Sequence, residues 1–214
     1  MAEIGLTIEV ISPIHIGSGR ADVNIDAEIV HDAVGLPYFP ARRFKGLLYE
    51  SAVEVSEMLA LSKIEFDAAI VEEIFHHQSA SPVQLIVPNF RLQSPERYRK
   101  IRAEWEYLQQ KYAEFFRPID LLETFTSVRY QTRLKNGVAD DGSLHNMRVL
   151  DSGVKFKGKL ELKNGGEEHL QLLVPAVGNV SSAGLKRNRG FGKIRCSMSE
   201  GDVLIEKFFR ARGL

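Results

Sequence analysis

Cysteine is nearly absent from this chain of 214 residues, occurring once as Cys196. One thiol makes no intrachain disulfide and builds no cysteine-based zinc cage, so the fold must rest on its core, as suits a reducing compartment. Net charge is lacking as well, since 28 lysines and arginines face 28 aspartates and glutamates. A neutral chain has no global attraction for polynucleotides, so such a partner would have to be met by local clusters of cations. Long hydrophobic runs are missing too: Leu170 to Val177 is broken by Gln171 and Pro175 and falls far short of a bilayer span. Met1-Ala2-Glu3 lead straight into a strand-like segment, with neither a basic n-region nor an apolar h-region, so no signal peptide is expected. What remains is an ordinary folded composition, 44% hydrophobic and 26% charged. It reads as one soluble, cytoplasmic domain over residues 1–214, with no membrane partner.

The two ends of the chain pattern as sheet and the middle as helix. Ile4, Leu6, Ile8 and Val10 alternate with Gly5, Thr7 and Glu9, the period of a half-buried strand. Gly17-Ser18-Gly19-Arg20 interrupts it as a loop, Ile25, Ala27 and Ile29 resume the alternation, and Val34-Gly35-Leu36-Pro37 reads as a turn. From Ala41, the spacing of Phe44, Leu47, Leu48, Ala52, Val55 and Leu59 marks one face of a helix. An acidic second helix is expected over roughly Glu65 to His77. Ser94-Pro95-Glu96 is a helix start, followed by Tyr98, Ile101, Trp105, Leu108, Tyr112 and Phe115 at helical steps over about six turns. That stripe reads as packing, while Arg97, Arg99, Lys100 and Arg102 on the other face read as surface or as a secondary RNA-backbone contact. Strands are expected around Val128 to Leu134, at Val149 and over Val154 to Leu162, with Lys135-Asn136-Gly137 as a turn and Asn164-Gly165-Gly166 as a hairpin-like end. A short helix from Leu170 to Val180 carrying Pro175, and a closing strand from Ile194 to Met198, complete the pattern. The order is that of an α+β, split βαβ or ferredoxin-like domain with a helical insertion at approximately 60–122.

The chemistry concentrates in Gly184-Leu185-Lys186-Arg187-Asn188-Arg189-Gly190-Phe191-Gly192-Lys193-Ile194-Arg195, with five cations, three glycines and no acid. Glycines let backbone amides approach a phosphate, and clustered cations attract polynucleotides whatever their sequence; a solvated turn is the alternative. Phe191 either stacks or anchors the loop. Two segments could cooperate with it: Gly17, Ser18, Gly19 and Arg20, and the helix start carrying Arg42, Arg43 and Lys45. Cations at a helix N-terminus oppose its dipole unless an anion binds there, so their placement points to a ligand. Asp26 and Glu28, two apart, would share one strand face and either hold a divalent metal or blunt an edge strand. His15 and His31 could serve as bases in metal-independent RNA cleavage, though no orienting partner is apparent. His76-His77 are adjacent and do not converge on one ligand.

Ile25-Asp26-Ala27-Glu28-Ile29-Val30-His31-Asp32, followed by Gly35-Leu36-Pro37-Tyr38-Phe39-Pro40-Ala41-Arg42-Arg43-Phe44-Lys45-Gly46-Leu47-Leu48, resembles the first conserved block of CRISPR RAMP-superfamily proteins. Glu123 to Thr132, Gly137 to Leu144 and Arg148-Val149-Leu150 resemble the middle block, and Gly184 to Gly192 the superfamily's glycine-rich loop. The nearest branches are the large RAMP subunit of type III-D effectors and the compact crRNA 5′-handle-capping subunit of type VII. The resemblance implies an RRM-like ferredoxin core, crRNA and sibling RAMP subunits as partners, target RNA met through the assembled complex, and a role in antiviral defence without a cofactor. RNA would be held by Gly17, Ser18, Gly19, Arg20, Arg42, Arg43, Lys45, Lys186, Arg187, Asn188, Arg189, Gly190, Phe191, Gly192 and Lys193. The aromatic motifs of a conventional RRM are not evident, which argues against base stacking on the open sheet. Asp26, six residues before Asp32, is placed like the catalytic aspartate of backbone RAMP subunits. That similarity implies an alternative: target-RNA cleavage with Mg or Mn.

Overall fold

The computed structural model describes residues 2–64, 66–75, 82–92 and 94–199, with Val203, Glu206 and Arg210 beyond them. The first strand, β1 (Ala2–Val10), is followed by a long segment without regular structure, then β2 (Tyr38–Phe39) and α1 (Ala41–Leu61). Next come α2 (Ala69–Phe75), β3 (Gln84–Ile86), β4 (Phe90–Leu92), α3 (Pro95–Lys111) and α4 (Pro118–Glu123). A hairpin region holds β5 (Thr126–Gln131), β6 (Leu134–Lys135), β7 (Val138–Ala139) and β8 (His145–Leu150). The chain closes with β9 (Lys155–Lys163), α5 (Glu167–Asn179) and β10 (Ile194–Met198).

The main sheet runs β10-β1-β9-β4-β2, with β3 also on β9, and every neighbouring pair is antiparallel. Alternation sorts its two faces. Ile4, Leu6, Ile8 and Val10 are buried with Phe156, Leu160, Leu162, Ile194 and Cys196, in one cluster with the inner faces of α1 and α5. Four phenylalanines join these layers edge-to-face, with ring centres 6.0 Å apart for Phe39–Phe44, 6.2 Å for Phe39–Phe156 and 4.9 Å for Phe44–Phe90. The opposite face of β1, β9 and β10 carries Glu3, Thr7, Glu9, Lys155, Lys157, Lys159 and Arg195 and no aromatic ring, so it offers no stacking platform.

Several expectations change. The alternation at Ile25, Ala27 and Ile29 forms no strand, only isolated bridges such as Gly17 to Ile29 and Ala27 to Met147. Burial there follows the loop's packing, since Glu28 is as buried as Ile25. The span 60–122 is not wholly helical, because β3 and β4 lie within it and pair with β9. Helix α3 is capped by Ser94 as its sequence suggests, but it stops at Lys111; Tyr112 leaves helical geometry and Phe115 is exposed. Helix α5 begins earlier than the pattern implies. Gly166 donates its N–H to His169 Nδ1 at 3.0 Å, so the glycines after Asn164 start a helix rather than a hairpin. Helix α2 begins at Ala69, later than expected, and Glu65, His76 and His77 lie outside the described residues. Among the described residues no helix is long and apolar enough to cross a membrane.

Burial pushes the Cys196 thiol up to about 12. At pH 8 its thiolate fraction is therefore negligible, and an alkylating reagent should leave Cys196 unmodified in the native chain. Labelling should become complete only in denaturant; rapid native labelling, followed by mass spectrometry, would contradict this packing.

Candidate nucleic-acid interface

The irregular segment between β1 and β2 owes its shape to backbone bonds with itself and with β8. Ser18 N–H donates to Glu28 O at 2.7 Å, Glu28 N–H to Arg20 O at 3.0 Å, and Val30 N–H to Ile16 O at 2.9 Å, closing the 17–29 loop on itself. Arg148 of β8 holds that loop down. Its N–H donates to Ala27 O at 3.0 Å, its carbonyl accepts from His15 Nδ1 at 2.7 Å, and its Nε lies 3.0 Å from the Glu28 carboxylate. Arg148 Nη1 adds a bond to Thr126 Oγ1 at 3.2 Å. The side chains of Arg148 and Glu28 are 4% and 9% exposed, so this is a desolvated ion pair in which each charge depends on the other.

The glycine-rich loop seats on the same strip of backbone. Leu185 N–H donates to His15 O and Gly192 N–H to Pro13 O, at 3.3 and 2.9 Å. Gly184 has φ of +77°, and a β-carbon there would stand 2.5 Å from the His15 carbonyl oxygen, so only glycine allows the approach. Gly190 also has positive φ, but nothing lies within 4 Å of its position. The third segment is the start of α1, where Asn89 Oδ1 accepts the Ala41 N–H at 2.8 Å and the first turn holds no acid. Arg43 Nη2 donates to Gly17 O there, tying the helix to the loop.

A cleft of about 730 Å³ opens where these pieces meet. Gly17, Gly19, Arg20, Arg42, Arg43 and Arg187 line it, with His15 beneath and Asp26 at one side. One face of α1, at positions 42, 43, 46, 47 and 50, forms a wall. Four guanidinium groups from three distant segments therefore share one concave surface with a helix N-terminus. Such an array suits phosphates of an extended strand.

The remaining expected residues stand elsewhere. Ser18 braces the loop, its Oγ donating to Glu28 O at 3.0 Å and accepting from Arg20 N–H at 3.1 Å. Lys45 is half-buried, off the cleft, and desolvation pulls its pKa down. Lys186, at left-handed φ, turns its ammonium to Gln131 Oε1 and to His145 Nε2 at 3.2 Å, towards the hairpin. Arg189 and Gly190 are exposed on the loop's outer side, Phe191 is half-buried, and nothing is described of the Asn188 side chain. Lys193 leads into β10, its carbonyl accepting from Ile11 and Ser12. Asp26 and Glu28 do not share a ligand position. Asp26 Oδ2 accepts from Asn146 N–H at 2.8 Å, while Glu28 faces Arg148, so the two carboxylates have separate partners. The described residues contain no group of three His, Cys, Asp or Glu side chains able to hold a metal.

Sequence reasoning missed Arg148, which carries no signal of its role, and the full wall of α1. The wall was accessible from helical spacing, since Arg42, Gly46 and Glu50 repeat at i, i+4, i+8.

Three variants separate the packing of this site from its surface. Glu28→Ala, by stranding Arg148, should cost about 3–5 kcal/mol in urea unfolding. Gly184→Ala should likewise destabilise the chain, whereas Gly190→Val should cost only about 1–2 kcal/mol of left-handed strain and keep the native circular dichroism spectrum. Equal losses at the two glycines would contradict the seating of the loop on His15.

The family profile of the RAMP superfamily matches residues 7–195. A chain in the cryo-EM structure of the Type III-B Cmr-beta bound to cognate target RNA is similar with a TM-score of 0.66 at 12% identity, over 96% of this chain and 99% of that one. A chain of the Type III-B Cmr-beta in its apo state is similar with a TM-score of 0.62 at 13% identity, over 92% and 97%. At such identities the likeness is one of fold. No curated protein matches the sequence.

Proposed function

The chain belongs to the RAMP superfamily, and from that membership we propose that it is an RNA-binding subunit of a CRISPR effector ribonucleoprotein. Single-stranded crRNA lies in the cleft between the 17–20 loop, the start of α1 and the glycine-rich loop. Neighbouring RAMP subunits dock on other surfaces, and target RNA is met through the assembled complex. The observation that carries this reading is the convergence of Arg20, Arg42, Arg43 and Arg187 on one cleft in a chain with no net charge. Backbone phosphates supply affinity, and splayed bases supply preference. The fold likeness to a Cmr-beta chain in an RNA-bound structure supports the assignment.

Narrower assignments follow. The order β10-β1-β9-β4, with α1 and α5 covering one face, agrees with a ferredoxin-like core of two split βαβ units. The sequence blocks favour the branch that caps the crRNA 5′ handle, in type III-D or type VII effectors. Asp26 at the cleft wall sustains the competing reading, metal-dependent cleavage of target RNA. Its carboxylate accepts the Asn146 N–H, and the described residues hold no group of three His, Cys, Asp or Glu side chains around it.

Titration of crRNA at several salt concentrations tests the cleft. Replacing Arg42, Arg43 and Arg187 together by glutamine should weaken binding and make the salt slope shallower by about 2, at about 0.7 per lost single-strand phosphate contact. Lys186→Gln should leave the slope nearly unchanged, because its ammonium faces the hairpin. Wild-type affinity and slope in the triple variant would remove the cleft from RNA binding. Cleavage of complementary RNA that Asp26→Ala abolishes would favour the nuclease reading.

A further inference from the structure

The 17–29 loop is a ridge with a cleft on each side. The second, of about 600 Å³, lies between this loop, β2 and the start of α4. Its apolar floor includes Ile119 and Leu122, and Tyr38, His31, Arg20 and Arg117 stand around it. The volume falls within the roughly 300–1,000 Å³ of small-ligand sites. Arg20 lines both clefts, so one guanidinium is placed to hold a phosphate at the crossing.

The polar groups here are set for a ring with hydrogen-bonding edges. His31 Nδ1–H donates to Asp32 O at 2.8 Å, which leaves Nε2 at an exposed position. Tyr38 pairs with Arg91 in the sheet register, and Arg91 pairs with Lys157, which puts Tyr38 on the open face. It is the aromatic residue that the described strands of the main sheet place on that face. The Arg91 guanidinium sits 4.8 Å from the centre of the Tyr38 ring and 5.0 Å from that of Tyr98, and Tyr98 Oη donates to Asp32. The tyrosine and the histidine are thereby held by one network. The acids nearby are engaged: Asp22 Oδ1 accepts from Val23 N–H at 2.7 Å, and Glu28 is neutralised by Arg148.

We infer that this second cleft receives a single nucleotide of the bound RNA, its base against Tyr38 and His31 and its phosphates between Arg20 and Arg117. The inference rests on the crRNA-binding reading and extends it: the strand leaves the first cleft over the ridge at Arg20 and turns one base into the second. An aromatic ring beside a basic rim binds a base with its phosphate, and stacking is tolerant of base identity. Arg117 is also bound to Asp120, at 2.9 Å, which fixes its position at the start of α4.

The test uses the full chain and a single-stranded RNA carrying 4-thiouridine at successive positions, with cross-linked peptides mapped by mass spectrometry. Cross-links should fall in residues 29–38 and 117–122 for one nucleotide position, next to positions that cross-link to the first cleft. Tyr38→Ala should lower RNA affinity about tenfold with an unchanged salt slope, Tyr38→Phe should restore it, and His31→Ala should weaken binding with the fold intact. Normal affinity in Tyr38→Ala and His31→Ala, with no cross-link at the second cleft, would overturn the inference. If Arg42, Arg43 and Arg187 still governed binding in that case, the crRNA-binding reading would stand alone. A wild-type chain that binds no RNA would remove both.

Discussion

Arg148 enters the interior as a charge, and the cost of desolvating it forces the surrounding chain to supply matching groups. Glu28 meets the guanidinium, Thr126 takes a second N–H, and the backbone of the same residue receives His15 and engages Ala27. The irregular segments around His15 and around Ala27 and Glu28, with the first residue of β5, are thus fixed to one strand residue. Because the glycine-rich loop rests on Pro13 and His15, its position derives from the same anchor. The cleft depends on that ion pair: Glu28 lines it, and its two loop walls are registered by the contacts of Arg148.

The charge distribution separates holding from binding. Two of the cleft's negative groups are occupied by internal partners, Glu28 by Arg148 and Asp26 by the Asn146 amide. Arginines remain at the surface, over the start of α1. A neutral chain can therefore present a locally positive groove, with balancing acids elsewhere, as on α2 and the outer strands. The open sheet face illustrates the other outcome, since Lys155 and Lys159 are paired there with Glu9 and Glu3.

Where burial follows a single period, the sequence predicts the structure closely. β1, α1, β9 and β10 obey their patterns, and Ser94 caps α3 because its side chain needs no tertiary partner to do so. The 25–29 segment has strand alternation yet no strand, because one buried position carries Glu28 against Arg148, a partner 120 residues away that no local pattern reveals. The aromatic stripe of α3 overstates its length because rings at helical spacing need not continue a helix; Tyr112 and Phe115 lie beyond its end. The basic segments were legible as a composition, but which cations share the cleft was not. Lys186 and Arg187 are adjacent, and one turns to the hairpin while the other lines the cleft.

The distances in sequence across the Arg148 cluster have a consequence for how the chain is made. His15 and Glu28 leave the ribosome long before residue 148 exists, and β1 waits for both β9 and β10. Contacts of such separation form slowly, since loop-closure entropy must be lost before they return any stabilisation. The helical hairpin of local contacts, α1 with α2, can form early, whereas the loops around the cleft acquire their shape only after Arg148 and Gly192 have been made. A nascent chain therefore has no formed cleft until the glycine-rich loop has been translated and has folded onto Pro13 and His15.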